Sequence, residues 1–139
     1  MARINSIGFD DLLDQLHAQA RQTPAVMERM LEAAGDVYVD KTVEQIIAMN
    51  IVDRGTTRDS IKKRMVGKRR DGYRMEVWPS GTRVDKEHPK GERVETVAFI
   101  ANYGTKKINP RPWAETSAAL AAEPAVEAMA KVLEEASKV

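Results

Sequence analysis

The first third of the chain carries apolar residues at the three- and four-residue spacing of amphipathic helices. A first helix is predicted over residues 9–21, with one apolar face formed by Phe9, Leu12, Leu13 and Leu16. Thr23 is a suitable N-cap and Pro24 a suitable first-turn residue, so a second helix is predicted from Pro24 to about Asn50. Gly35 lies inside this second helix, where it marks a bend, a weak point or a close crossing with another helix.

The pattern then changes to the two-residue period of β-strands. Gly55 is a turn residue, and Thr57 is expected to cap a short helical turn. Alternating side chains predict a β-hairpin that pairs residues 61–69 with residues 73–78 and turns at Gly72.

The remaining elements are less regular. Residues 79–95 are polar and predict a long loop or an extended hairpin tip. The apolar run 96–104 fits a buried strand or a buried helical turn, and its periodicity does not decide between them. A C-terminal helix is predicted from about Pro112. A kink or break is expected at Ala122–Pro124, because a proline inside a helix removes a hydrogen bond and clashes with the preceding turn.

The segment before this helix, residues 102–113, reads NYGTKKINPRPW and combines turn residues with a large aromatic anchor. Gly104 is expected to end the apolar run in a tight turn. Pro110 and Pro112 redirect the chain and preset the start of the helix. Trp113 is expected to pin that helix onto the sheet.

Together the elements predict one α+β domain over residues 1–139, a length that suits a single core. A small antiparallel β-sheet of about three to four strands is expected to pack against N-terminal helices and a C-terminal helix. The N-terminal helices fall within residues 1–52, and the C-terminal helix within residues 110–139. The hairpin, the loop and the apolar run occupy residues 53–109 between them.

Composition narrows the possible chemistry. The chain has no cysteine, which excludes a disulfide scaffold and thiolate chemistry. No apolar run approaches the roughly 20 residues of a membrane span, and the N-terminus lacks a signal-peptide pattern, so assembly in the cytosol is expected. His17 and His88 are isolated, and Ser60 and Ser80 have no base at motif spacing. We therefore expect no metal site, no cofactor and no catalytic residue.

Charge is distributed unevenly along the chain. Residues 1–53 hold four basic and nine acidic residues, a balance of −5, whereas residues 54–74 hold nine basic and two acidic residues, a balance of +7. The basic segment could bind nucleic-acid phosphates, form a solvated face, or contact the acidic helices of a neighbour or of the same chain. Its central residues are Lys62, Lys63, Arg64, Lys68, Arg69 and Arg70.

Two motifs resemble a family of proteins that join heads to tails in long-tailed phages, known as head–tail connector, neck, tail-completion or tail-component proteins. Residues 54–65, RGTTRDSIKKRM, are similar to its TGxLRxSI motif through Gly55, Arg58, Ser60 and Ile61. Residues 97–113 are similar to its second signature through Gly104, Thr105, Pro110, Arg111, Pro112 and Trp113, and Tyr103 and Trp113 each stand where the family has phenylalanine. Thr57 replaces the usual leucine, and Ala101–Asn102 replaces the usual Val-Glu.

The resemblance implies a structural protein of a phage or prophage, without catalysis, at the head–tail junction or the tail end. It implies a ring of identical subunits, of hexameric symmetry, that is assembled in the host cytoplasm and built into the virion with other head or tail proteins. No membrane, cofactor or small-molecule substrate is implied. The basic hairpin would face a neighbour or DNA passing through the lumen. The competing hypothesis is a small nucleic-acid-binding module that uses residues 54–74.

Overall fold

The computed structural model describes residues 9–51, 56–68, 72–84, 86–87 and 89–138. Its elements are, in chain order, α1 (Phe9–Ala48), α2 (Thr56–Ser60), β1 (Ile61–Lys68), β2 (Gly72–Pro79), β3 (Thr82–Arg83), β4 (Glu92–Arg93), α3 (Val94–Tyr103) and α4 (Trp113–Ser137). This combination of helices and short antiparallel strands confirms the predicted α+β class, with helices at both ends of the described chain.

Helix α1 is continuous over 40 residues and contains Pro24. The predicted division into two helices, 9–21 and 24–50, is therefore wrong. The proline removes one backbone hydrogen bond, whereas two new helix ends would leave up to four N–H and four C=O groups unpaired. Continuing the helix through the proline therefore leaves fewer backbone groups without partners than stopping it there.

Helix α4 likewise runs through Pro124, so of the kink or break expected at Ala122–Pro124 the break is wrong. Its buried side chains recur at every fourth position and consist of Trp113, Ser117, Ala121 and Ala125. Three of the four are small, which lets α4 pack closely along α1, its main partner. This long contact supports both helices beyond their intrinsic propensity.

Strands β1 and β2 form the predicted hairpin, with Lys63 opposite Val77 and Met65 opposite Met75. The face that carries Met75 lies against α1. A Cβ atom added to Gly35 would lie 2.9 Å from Cγ of Met75, so Gly35 marks a close approach, which was one of the alternatives left open there, but with the hairpin and not with another helix.

The polar region after β2 is a second, smaller hairpin in which Thr82 pairs with Arg93 and Arg83 with Glu92. The four strands of the described chain therefore form two separate two-stranded sheets. The apolar run 96–104, which the sequence left open, lies in α3 as far as Tyr103 and not in a strand, and Gly104 follows the helix. No helix in the described ranges is both long enough and apolar enough to span a membrane.

The hydrophobic core lies where the C-terminal end of α1 meets β1, α3 and the start of α4. Its buried members are Ile46, Ile51, Ile61, Ala98, Ala101 and Trp113. Residues of both motifs therefore contribute to one core, since Ile61 comes from the first and Trp113 from the second.

Candidate functional site

The first motif forms the junction between α2 and β1. Arg58 is exposed and its Nε donates to Oδ1 of Asp59 at 2.8 Å, while Gly55 lies outside the described residues. Ser60 is buried, and its Oγ donates to the carbonyl oxygen of Thr57 at 2.8 Å. Ile61 follows directly in the core. Ser60 and Ile61 therefore fix where β1 begins, and they offer no reactive group to solvent.

Thr57 does not cap α2, contrary to the sequence-based expectation. It lies inside the helix, its side chain is fully buried, and its hydroxyl has no hydrogen-bond partner among the described residues. Because α2 packs against α1, α3 and β2, the buried Thr57 side chain faces a mainly apolar interior. The site suits the leucine that the resembling family usually carries here better than it suits a hydroxyl.

Replacing Thr57 with valine is expected to raise the free energy of unfolding by about 1 kcal/mol, because it removes a buried hydroxyl that has no partner. Thermal or urea unfolding measures the change. Thr42→Val is the matched control, since the buried Thr42 hydroxyl donates to the Tyr38 carbonyl at 2.6 Å and its loss should not stabilise the protein. A Thr57→Val variant less stable than the original chain would contradict this account.

The second motif begins with a closed turn after α3. Gly104 follows the helix with φ of 72° and donates its N–H to the Ile100 carbonyl at 2.8 Å, which confirms the predicted tight turn. Thr105 donates its N–H to the Ile108 carbonyl at 2.8 Å, and its Oγ1 accepts the Ile108 N–H at 3.1 Å. The Gly104 bond ties the turn to α3, and the two bonds between Thr105 and Ile108 close the loop on itself. Tyr103, the last residue of the helix, remains exposed.

Arg111 joins this loop to the end of α1. Its backbone N–H donates to the Ala101 carbonyl at 2.8 Å, and its Nη1 donates to the Asn50 carbonyl at 2.9 Å. A guanidinium at the C-terminal end of a helix neutralises both the unpaired carbonyls and the negative end of the helix dipole. Pro110 and Pro112 flank Arg111 and are exposed, so they shape the chain and add little to the core.

Trp113 is the anchor that the sequence predicted. It is 2% exposed, its Nε1 donates to the Ala98 carbonyl at 3.0 Å, and its ring centroid lies 5.9 Å from that of Trp78 on β2. The sequence did not reveal its neighbour Asn102, whose Oδ1 accepts the Ala114 N–H at 2.9 Å in the first turn of α4. Asn102 acts as a cap from 12 residues away, a distance that local spacing rules do not cover.

An exposed row of aromatic rings continues outward from this anchor. We call it the aromatic row; it consists of Trp78, Phe99 and Tyr103, which are 37%, 48% and 58% exposed. The ring centroids of Trp78 and Phe99 are 5.7 Å apart, and those of Phe99 and Tyr103 are 5.0 Å apart. The row therefore presents a contiguous apolar surface that is backed by the buried Trp113.

The basic hairpin is partly neutralised within the chain. Nζ of Lys63 lies 2.7 Å from Oδ1 of Asp36 and 2.5 Å from Oε2 of Glu32, both on α1. Hydrogen bonds to Asp36 and then Glu32 raise the pKa of Lys63 above its ordinary value. The basic hairpin and the acidic helix α1 of the same chain therefore neutralise each other in part through these ion pairs.

The opposite face of the hairpin carries a second cluster of charges. Arg64 and Arg74 lie 3.1 and 3.0 Å from the carboxylate of Glu76, and hydrogen bonds from Arg64 and then Arg74 lower the pKa of Glu76. Lys62 is exposed beside them. The Lys68 side chain, Arg69 and Arg70 lie outside what the structure describes, so they remain sequence-based candidates for an interface or a DNA contact.

A cleft of about 710 Å³ lies between α1, β2 and α4. Its walls are mainly apolar and include Leu31, Tyr38, Met75, Val77, Val126 and Met129. Within the described part of the chain, no three His, Asp or Glu side chains are grouped so that they could hold a metal ion. Among the described residues, the cleft and the aromatic row are therefore the candidate contact surfaces.

Comparison with known proteins gives a family match. No curated protein and no solved structure matches the chain at a significant level. The model of the family described as "Bacteriophage HK97-gp10, putative tail-component" matches residues 10–82, just over half of the 139 residues. The match includes the first motif and ends before the second. The chain belongs to the HK97-gp10-like family of phage tail-component proteins.

Proposed function

We propose that this chain is a non-enzymatic structural protein that assembles with copies of itself into a ring at the head–tail junction or the tail end of the virion. The aromatic row is the observation that carries the proposal. Membership of a phage tail-component family supports it, since such proteins act through contacts with other phage proteins. Hexameric symmetry, implied by the resemblance, is the expected form of the ring.

The aromatic row has the character of a protein–protein contact. Exposed aromatic side chains that adjoin one another are uncommon on monomers, and interfaces are enriched in them. A few buried aromatic residues usually provide most of the binding energy of such a contact. If a neighbour covered Phe99 and Tyr103, both rings would become buried without any change in the core beneath them.

Tyr103→Ala is expected to raise the dissociation constant for self-association about 30-fold, because loss of a central aromatic contact costs about 2 kcal/mol. Sedimentation velocity over a wide concentration range measures the change. Ile47→Ala is the control, since Ile47 is 59% exposed on α1 and lies outside the aromatic row. Equal weakening by both variants, or a chain that stays monomeric at every concentration, would contradict the proposal.

The competing nucleic-acid hypothesis rests on the outer face of the hairpin, where the Arg64 and Arg74 side chains are 76% and 72% exposed. Glu76 pairs with both of them, which weakens this face as a phosphate site. Binding to short duplex DNA at low and high salt separates the two hypotheses. Tight binding by a monomer that falls steeply with salt would favour the nucleic-acid module and contradict the ring.

A further inference from the structure

The cleft between α1, β2 and α4 has the apolar lining of a site for a helix. Its α4 wall includes Ala122, Val126 and Met129, and Val126 is 65% exposed. Ala119 and Leu133 extend the same series, so the positions 119, 122, 126, 129 and 133 follow the alternating three- and four-residue spacing of a coiled-coil seam. A seam of this kind ordinarily packs against another helix.

Helix α1 is long enough to leave a segment beyond α4. The two helices have 40 and 25 residues, which correspond to roughly 60 and 38 Å. Trp113 at the start of α4 shares the core cluster with Ile46, and Met129 lines the same cleft as Leu31, so the helices run antiparallel. At equal rise per residue, the end of α4 comes level with about residue 22 of α1.

Residues 9–22, which we call the α1 arm, therefore extend roughly 20 Å past the end of α4. Their sequence places Phe9, Leu12 or Leu13, and Leu16 at the i, i+3 or i+4, and i+7 positions that anchor a helix in a groove. Asp14 and Ala18 are exposed. Because α1 continues without a break, the arm cannot fold back into the cleft of its own chain.

We propose that the α1 arm of one copy docks in the cleft of a neighbouring copy. This inference rests on the proposed self-assembly and adds a second contact to the one made by the aromatic row. Arg74 also lines the cleft; it pairs with Glu76, but its side chain is 72% exposed, so the arm's aspartates, Asp10, Asp11 and Asp14, can approach it as well. Arm and cleft are different surfaces of one molecule, so the contact can repeat from head to tail, and it closes into a ring when the rotation between subunits permits.

Disulfide trapping between two copies that carry a single cysteine at different positions tests this contact. The chain has no cysteine of its own, so only the introduced cysteines can react. A Leu16→Cys copy is mixed with a Val126→Cys copy, oxidised, and examined on a non-reducing gel. The expected result is at least tenfold more mixed dimer than from Ala18→Cys with Val126→Cys. Ala18 is the matched control because it lies two residues along the arm, on nearly the opposite face of the helix.

The outcomes separate this inference from the proposed function. Preferential trapping through Leu16→Cys supports arm docking. If sedimentation shows an oligomer but the two cysteine pairs trap equally, the arm contact is overturned while self-assembly stands. If the original chain remains a monomer and neither pair traps, both are overturned. Helix content by circular dichroism, unchanged in each variant, confirms that the comparison is made between folded chains.

Discussion

Trp113→Ala is expected to lower the free energy of unfolding by about 3–5 kcal/mol, which is a large fraction of the stability of a domain of this size. The ring lies almost fully buried in the core that joins α1, β1, α3 and α4. Its removal leaves a cavity among these elements and also leaves the Ala98 carbonyl without the Trp113 Nε1 donor. Both losses raise the free energy of the folded state and so lower the free energy of unfolding.

Urea unfolding of Trp113→Ala measures this loss, and two further variants divide it into parts. Trp78→Ala, at a side chain that is 37% exposed, is expected to cost less than half as much. Trp113→Phe keeps most of the apolar ring and removes the indole donor, which isolates the hydrogen bond. A change below about 1 kcal/mol for Trp113→Ala would mean that the ring is not a core anchor, and its importance would then lie in assembly.

Gly104→Ala is expected to lower the free energy of unfolding by about 3 kcal/mol or more. Gly104 has φ of 72° and ψ of −177°, a region that glycine alone adopts readily. An added Cβ would also lie 2.5 Å from the Ile108 carbonyl oxygen and 2.8 Å from the Pro110 nitrogen. Because these atoms belong to the backbone of the hydrogen-bonded loop, the clash is relieved only by moving the loop away from α3.

Gly81→Ala is the control for Gly104→Ala. Gly81 also has positive φ, at 128°, but an added Cβ there would meet no atom within 4 Å. This variant reports the backbone strain alone, and the difference between the two reports the clash. Thermal unfolding of both variants measures this difference. Equal losses would show that the Ile108–Pro110 loop yields easily and does not hold the second motif in place.

The features that the sequence predicted correctly are those whose cause lies within a few residues. The two-residue period of residues 61–69 and 73–78 sufficed for the β1–β2 hairpin, because each strand position faces one side of the pleat. Gly104 revealed the turn after α3 for a similar reason, since few residues other than glycine tolerate its backbone conformation. The burial of Trp113 followed from its size and from its place at the start of an apolar helix.

Local rules failed where distant packing decides between two acceptable structures. Pro24 and Pro124 both resembled helix boundaries, yet α1 and α4 continue through them along a shared contact. The run 96–104 could be a strand or a helix, and the structure places it in α3 against the core. The spacing of apolar residues predicts neither the continuation of the helices through the two prolines nor the helical form of the run 96–104.

The sequence by itself determined the α+β class, the β1–β2 hairpin, the turn at Gly104 and membership of a phage tail-component family. The fold class and the hairpin follow from local periodicity, and the turn follows from the backbone conformations open to glycine. The family follows from the order of the motifs. Only the tertiary structure decided that Lys63 pairs with Glu32 and Asp36 of its own chain, and that Arg111 reaches the end of α1 from 61 residues away. These contacts depend on how the helices pack, because only packing brings groups that are distant in the sequence within hydrogen-bonding distance.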